Sequence, residues 1–180
     1  LEGVISPPRL LPLHISLRDF IRRQKQRPGL SFLDYLQTEG VGRLDAPSVH
    51  SAFFEAALRM GEAVVLFDGL DEVGNESARH AVATSIRAFQ EDYPDCRIWV
   101  TSRIHGYTEN VRLPGSFAHY RIEPLDDAQI DDFVGRWYAH QIAASPQEAR
   151  EQSDSLRAAV HRTPSVRRLA GNPLLLTLMA

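Results

Sequence analysis

Short apolar runs alternate with longer amphipathic stretches along this chain, which predicts strands separated by helices. Four segments are predicted to be strands, namely residues 10–17, 63–67, 96–101 and 119–122. The run at 63–67 is apolar throughout, which is typical of a parallel strand covered on both faces, and we expect 96–101 to be a second buried strand. The pattern therefore predicts an α/β fold with a largely parallel sheet.

The same pattern predicts helices between these strands. Residues 18–26 favour a helix, and Ser31 with Asp34 resembles a capping box that opens another one, which Gly40-Val41-Gly42 should end. A longer helix is predicted at 75–93, where the next residue is a proline. Helical spacing also predicts two apolar faces, one formed by Val49, Phe53, Ala56, Ala57 and Met60 and the other by Val82, Ile86 and Phe89.

The pattern becomes wholly helical after Pro124. Residues 126–142 fit an amphipathic helix that a capping box of Asp126 and Gln129 could open. Its apolar stripe consists of Ile130, Phe133, Val134, Trp137 and Tyr138. Further helices are predicted at 147–161, 165–170 and 174–180. We therefore divide the chain into an α/β part, residues 1–124, and an all-helical subdomain, residues 125–180.

Composition and charge narrow the classes of function. The 180 residues are 43% hydrophobic and 24% charged, which excludes a disordered or collagen-like chain. The net charge of −3 provides no basic field, which argues against nucleic acid as a partner. The sequence has one cysteine, and no apolar run approaches the roughly 20 residues that span a bilayer. We expect a cytoplasmic protein with no membrane partner. Because the first residue, Leu1, is not a start methionine and does not open a signal peptide, we also expect the chain to be a piece of a longer protein.

Three carboxylates follow the apolar run at 63–67, namely Asp68, Asp71 and Glu72. A parallel strand that ends in Asp68 brings this carboxylate to the carboxyl edge of the sheet, where open α/β folds bind ligands. There it can hold a hydrated Mg²⁺ against the phosphates of a nucleotide, and Gly69 leaves room for a close approach. Asp71 or Glu72 could orient or deprotonate a water that attacks the γ-phosphate. The structural alternative is a buried strand that ends in a solvated acidic turn.

Polar residues also end the run at 96–101, where Thr101, Ser102 and Arg103 follow one another. This strand comes one strand–helix unit after the Asp68 strand, so its end should lie beside Asp68. Thr101 and Ser102 could form hydrogen bonds with a phosphate or with the attacking water, and Arg103 could reach the γ-phosphate. The alternative for Arg103 is a strand-terminal arginine in solvent.

With these motifs the sequence resembles the NACHT family of STAND-class P-loop NTPases, which are signal-transducing ATPase switches. The matching segments are residues 13–20, 64–73, 98–103 and 169–176, the last with its Gly171-Asn172-Pro173 turn. The resemblance implies a three-layer P-loop NTPase sandwich followed by a helical subdomain. It further implies ATP or ADP with Mg²⁺ as cofactors, nucleotide-dependent self-association, and a role in innate immune or antiviral defence.

The resemblance also implies a role for each matching residue. Asp68 would be the Walker B ligand of Mg²⁺, and Asp71 or Glu72 would be the hydrolytic acid. Arg103 would be the first sensor of the γ-phosphate. Pro173 would touch the adenine from the helical subdomain, although a plain helix–helix turn would explain the same residues.

The sequence departs from the family at the phosphate loop. It contains no Gly-x-x-x-x-Gly-Lys-Ser/Thr motif, and its single lysine, Lys25, lies between two glutamines. We expect this loop and its strand upstream of Leu1. In the sheet of the family, that strand would lie between the strands at 96–101 and 119–122. We therefore expect the 180 residues alone to fold poorly and not to hydrolyse ATP.

Other classes of protein have less support. The parent protein could use the NTPase fold only as a non-hydrolysing interaction scaffold, or it could be another P-loop ATPase such as an AAA+ protein. A helicase would place Asp71-Glu72 directly after the apolar run, where Asp68-Gly69-Leu70 intervenes. The histidines and Cys96 lack the spacing of a metal site, and no Gly-x-Ser-x-Gly elbow supports an esterase.

Overall fold

A computed structural model describes residues 10–43 and 51–180 of the chain. They belong to two compact units, which divide between Ala118 and His119 and are described separately. The described strands, all in the first unit, are β1 (Leu11–Ser16), β2 (Ala63–Asp68) and β3 (Arg97–Val100). The helices of this unit are α1 (Leu17–Gln26), α2 (Phe32–Arg43), α3 (Ser51–Arg59) and α4 (Glu76–Asp92). The second unit contains α5 (Asp127–Gln141), α6 (Pro146–Arg162), α7 (Pro164–Ala170) and α8 (Pro173–Met179).

The three strands form a parallel sheet in the order β1-β2-β3. The register pairs Ser16 with Asp68 at the end of β1 and β2, and Phe67 with Val100 near the end of β2 and β3. The carboxyl ends of all three strands therefore lie side by side. The predicted α/β class with a parallel sheet is confirmed.

One face of the sheet carries the core of the first unit. Ile15 of β1 and Val65 of β2 are fully buried there, as is Phe67. The Phe67 ring centroid lies 4.7 Å from that of Phe32 in α2 and 5.6 Å from that of Phe89 in α4. This aromatic contact fixes the two helices on the same side of the sheet, because edge-to-face rings pack favourably at such distances.

The opposite face of the sheet is open in the described part of the chain. The His14 side chain is 48% exposed and Trp99 is 63% exposed. The expectation that β3 is buried is therefore wrong, since β3 is an edge strand whose outward residues, Arg97 and Trp99, have no covering layer among the described residues. The described residues cover one face of the sheet, and the three-layer sandwich stays a prediction.

The strand expected at residues 119–122 is absent. These residues have no regular secondary structure, and Tyr120 and Ile122 are 89% and 97% exposed. A strand requires a partner for its backbone N–H and C=O groups, and its own sequence does not supply one. Among the described strands, β3 pairs only with β2.

The helices of the first unit follow the sequence pattern, with two corrections. The helix at 75–93 is confirmed as α4, because the Asn75 side chain caps it and Val82, Ile86 and Phe89 are buried. Helix α2 opens with the predicted Ser31–Asp34 capping box but continues through Gly40-Val41-Gly42. A glycine within a helix lowers its stability by only about 1 kcal/mol relative to alanine, so two glycines need not end the helix.

The buried face of α3 differs from the predicted one. Phe54, Ala57 and Leu58 are buried, whereas Phe53, Ala56 and Met60 are exposed. Both sets fit a helical period, so the spacing alone did not distinguish the two faces. Val49, the first residue of the predicted face, lies outside the described residues.

The second unit contains the four helices that the sequence predicted. The capping box is present at α5, where the Asp126 carboxylate accepts from Gln129 N–H at 2.8 Å and Gln129 Oε1 accepts from Asp126 N–H at 3.0 Å. The core of this unit consists of Ile130, Val134, Val160, Ala170 and Leu176. None of the described helices combines the length and the apolar character that crossing a membrane would need.

Candidate functional site

The carboxyl edge of the sheet collects polar side chains from all three strand ends. Ser16 and Asp68 are neighbours in the register, and Thr101 directly follows the last residue of β3. Thr101 N–H donates to the Phe67 carbonyl at 2.9 Å, which continues the pairing of β2 and β3 to this edge. The parallel register thus brings residues of separate motifs together, as the sequence analysis expected.

Asp68 and Thr101 are joined by their side chains. The Thr101 hydroxyl donates to Asp68 Oδ1 at 2.6 Å and accepts from Gly69 N–H at 2.9 Å. The Asp68 side chain remains 52% exposed, and its Oδ2 atom takes no part in this bond. Thr101 therefore orients the carboxylate through Oδ1, and Oδ2, which lies 3.6 Å from His14 Nε2, is the oxygen that a ligand could approach.

Gly69 lets the chain turn sharply after β2. Its φ of 80° and ψ of 53° lie in the left-handed region, which glycine adopts without the steric cost of a side chain. A Cβ at this position would also lie 3.3 Å from the Glu72 side chain. The turn leads into a short 3₁₀ helix, Leu70–Glu72, which carries the other two candidate carboxylates.

Asp71 is held firmly by the neighbouring loop. Its Oδ1 accepts from the backbone N–H of Arg103 at 2.9 Å, and its Oδ2 lies 3.5 Å from Arg103 Nε. The Asp71 side chain is 15% exposed, whereas that of Arg103 is 81% exposed. The carboxylate is thus engaged inside the protein, while the guanidinium reaches into solvent.

Glu72 is less constrained. Its Oε2 lies 3.6 Å from Arg18 Nη1 at the start of α1, and its side chain is 41% exposed. An ion pair this exposed contributes little to stability and can open readily. Glu72 is therefore the more exposed and the less tightly held of the two candidate acids.

Ser102 and Pro173 complete the predicted set. The Ser102 hydroxyl donates to the Arg103 carbonyl at 3.1 Å, so it is engaged with the backbone. Pro173 is the first residue of α8, in the helical unit, and lines a cleft of about 510 Å³ with Phe133 and Trp137. The candidates at 68–72 and 101–103 lie together at the sheet edge, whereas Pro173 belongs to the separately described unit.

The structure adds two residues that the sequence analysis missed. His14 Nε2 lies 3.6 Å from Asp68 Oδ2, and Gly106 packs directly against Asp71. The apolar neighbours of His14 in β1 could have placed it on the outward face of the strand, but only the register brings it to Asp68. No signal in the sequence distinguished Gly106 from other loop glycines.

The chemistry of the edge suits a hydrated divalent cation more than a metal held by protein alone. The described residues include no group of three or more His, Cys, Asp or Glu side chains placed to hold a metal ion. Asp68 and Thr101 supply hard oxygen atoms, and Mg²⁺ keeps several waters and commonly takes its other ligands from phosphates. Arg18 and Arg103 provide positive charge near the same edge.

No protein-family model, curated protein or solved structure matches this chain.

Proposed function

We propose that this chain is part of a NACHT-type P-loop NTPase and that its sheet edge binds ATP with Mg²⁺ in a nucleotide-dependent switch. The observation that carries the proposal is the 2.6 Å hydrogen bond from Thr101 to Asp68. It joins two motifs to which the resemblance assigns a single site. An oriented, half-exposed carboxylate at the end of a parallel strand also meets the requirements of a Mg²⁺ ligand.

The side chains of the edge would divide the work of binding and hydrolysis. Bound Mg²⁺ would neutralise negative charge that develops on the phosphates. Asp68 would hold this ion or one of its waters, and Thr101 would keep the carboxylate oriented. The exposed Arg103 guanidinium would contact the γ-phosphate, so that ATP and ADP are distinguished. In the intact protein, this distinction would control self-association through a hinge between the α/β and helical parts.

The proposal places the phosphate loop and its strand upstream of these residues. Among the described strands β3 pairs only with β2, which supports this position, since a further parallel strand could pair with its other edge. Residues 119–122 would then have a neighbour with which to pair. The exposure of Tyr120 and Ile122 is compatible with such a pairing in the intact protein.

A binding-only scaffold is the second candidate function. One observation favours it, namely that Asp71 and Glu72 both lie beside arginines, Arg103 and Arg18. Each carboxylate is engaged by a guanidinium, and a general base needs a free oxygen, so hydrolysis would be slow or absent. In this case the protein would bind nucleotide without turning it over.

The Asp68→Ala variant of the full-length protein tests both candidates. We expect Mg²⁺-dependent ATP affinity to fall by at least about tenfold, which corresponds to about 1.4 kcal/mol. Glu91→Gln, which removes an exposed carboxylate of α4, is the control and should bind ATP normally. Unchanged binding and turnover in Asp68→Ala would refute the assigned site, and wild-type binding without turnover would favour the scaffold.

A further inference from the structure

We propose that Asp71 is a positioning residue that holds the Arg103 loop against the end of β2, and that Glu72 alone is the hydrolytic acid. The resemblance left these two carboxylates equivalent. The consequence for catalysis rests on the proposed function, whereas the contact between the loops is a property of the fold. The two can be tested separately.

The first support is the pair of contacts between Asp71 and Arg103. Asp71 Oδ1 accepts from Arg103 N–H at 2.9 Å, and Oδ2 lies 3.5 Å from Arg103 Nε. A bond to the backbone fixes where the arginine side chain begins, whichever rotamer that side chain adopts. The ion pair, by contrast, is largely exposed on the arginine side and can open when a phosphate competes for the guanidinium.

The second support is the packing of Gly106 against Asp71. Gly106 ends a second short 3₁₀ helix, Ile104–Gly106, directly after Arg103. A Cβ at Gly106 would lie 2.2 Å from Asp71 Cβ and 2.8 Å from Asp71 Cα, so no side chain fits between the two 3₁₀ helices. Asp71 therefore holds the Arg103 loop by a hydrogen bond at one end and by close packing at the other.

The third support is the contrast with Glu72. A general base or water-orienting group needs a free oxygen within reach of the attacking water. The 15%-exposed Asp71 carboxylate is occupied by the Arg103 loop, whereas the Glu72 side chain is 41% exposed and forms an ion pair with the exposed Arg18. Glu72 can turn towards a ligand without breaking a bond to the backbone.

Conservative and non-conservative variants of the full-length protein separate the two roles. Asp71→Asn retains an oxygen that can accept from Arg103 N–H but cannot act as a base, whereas Asp71→Ala loses both properties. For a positioning residue, we expect turnover to fall by about threefold in Asp71→Asn and by about tenfold or more in Asp71→Ala. Equal losses of about 100-fold or more would instead identify Asp71 as the acid. Glu72→Gln should lose turnover and retain ATP affinity.

The preference for ATP over ADP provides a readout that a general loss of structure would not produce. If Asp71 positions Arg103, both Asp71→Ala and Arg103→Ala should lower the ratio of the two affinities. The double variant should then be no worse than Arg103→Ala, because both changes remove the same interaction. Additive effects would overturn the proposal.

Hydrogen exchange at residues 103–106 tests the contact without any nucleotide. We expect Asp71→Ala and Gly106→Ala to increase exchange there, and Asp71→Asn to increase it much less. Gly115→Ala is the matched control, since a Cβ at Gly115 meets nothing within 4 Å. If exchange is unchanged in Asp71→Ala, the positioning role is wrong whatever the protein binds. If exchange changes but the wild type binds no ATP, the proposed function fails and the contact stands.

Discussion

The Thr101 hydroxyl lies between Asp68 and Gly69, donating to the carboxylate at 2.6 Å and accepting from the glycine N–H at 2.9 Å. One side chain therefore orients the candidate ligand and also closes the turn that follows it. The carbonyl of the same residue accepts from Leu70 N–H at 2.9 Å. The end of β2 is thus organised by the strand beside it, which links the acidic motif to the motif that contains Arg103.

Replacing Thr101 with valine should weaken Mg²⁺-dependent nucleotide binding by about tenfold or more. Valine has a similar shape but leaves Asp68 Oδ1 without its donor, and hydrogen bonds to charged groups contribute about 1.5–3 kcal/mol. Thr101→Ser restores the hydroxyl and should bind nearly as well as wild type. Calorimetric titration of the full-length protein with ATP, with and without Mg²⁺, measures the effect. Equal affinities of the valine and serine variants would show that this hydrogen bond does not position the ligand.

Local patterns predicted the helices well because the forces that define them are local. Asn75 caps α4, and Val82, Ile86 and Phe89 recur at helical spacing, so α4 could be predicted from adjacent residues alone. The burial of β3 depended instead on which residues cover Trp99, and a strand at 119–122 depended on a backbone partner. Neither condition is visible within the strand's own sequence.

The position of the candidate site could be predicted from the sequence, but the contacts between its residues could not. The strand ends identified Asp68 and Thr101, since a parallel sheet brings its carboxyl ends to one edge. The choice between Asp71 and Glu72 required the conformation of the turn after β2. The proximity of His14 to Asp68 required the register of β1 against β2. Such contacts depend on where the chain returns in space, which periodicity does not encode.

Gly61→Ala should destabilise the full-length protein more than Gly29→Ala. Both glycines have positive φ, 67° at Gly61 and 87° at Gly29, so each alanine has a backbone cost of about 1 kcal/mol. A Cβ at Gly61 would also lie 2.8 Å from Asp95 Cβ, whereas a Cβ at Gly29 meets nothing within 4 Å. We expect this overlap to add about 1–3 kcal/mol to the loss in free energy of unfolding. Urea denaturation measures both losses, and equal values would contradict the packing of Gly61 on Asp95.

Glu76 should make stability depend on pH in the acidic range. Hydrogen bonds from Asn110 Nδ2 at 2.9 Å and Thr108 Oγ1 at 3.0 Å hold the pKa of the Glu76 carboxyl below its usual range. Because the folded-state pKa is lowered, the stabilisation is complete above the unfolded-state pKa, about 4.3. It is lost as pH falls through the lowered folded-state value.

We therefore expect the wild type to exceed Glu76→Gln in stability at pH 7 and the difference to shrink as pH falls below about 4.3. Asp34, whose pKa is lowered by its hydrogen bonds with Ser31, contributes equally to both proteins and cancels in the comparison. Urea midpoints between pH 3 and 7 give the two curves. A difference in stability that stays constant across this range would show that the charged form of Glu76 does not stabilise its contacts with Thr108 and Asn110.

The thiol of Cys96 should show whether the 180 residues fold without a further strand. Cys96 is 9% exposed, its thiol donates to the Leu58 carbonyl at 3.0 Å, and burial raises its pKa. In the folded full-length protein, alkylation at pH 8 should therefore be slow.

In the isolated chain, the open edge of β3 and the 63% exposure of Trp99 leave the adjoining sheet poorly supported. We expect Cys96 to be labelled at least about tenfold faster in the isolated chain than in the full-length protein, because opening of the fold controls access to the thiol. Peptide mass spectrometry measures the labelling. Slow labelling of the isolated chain, together with a cooperative thermal transition by circular dichroism, would show that β3 needs no additional partner.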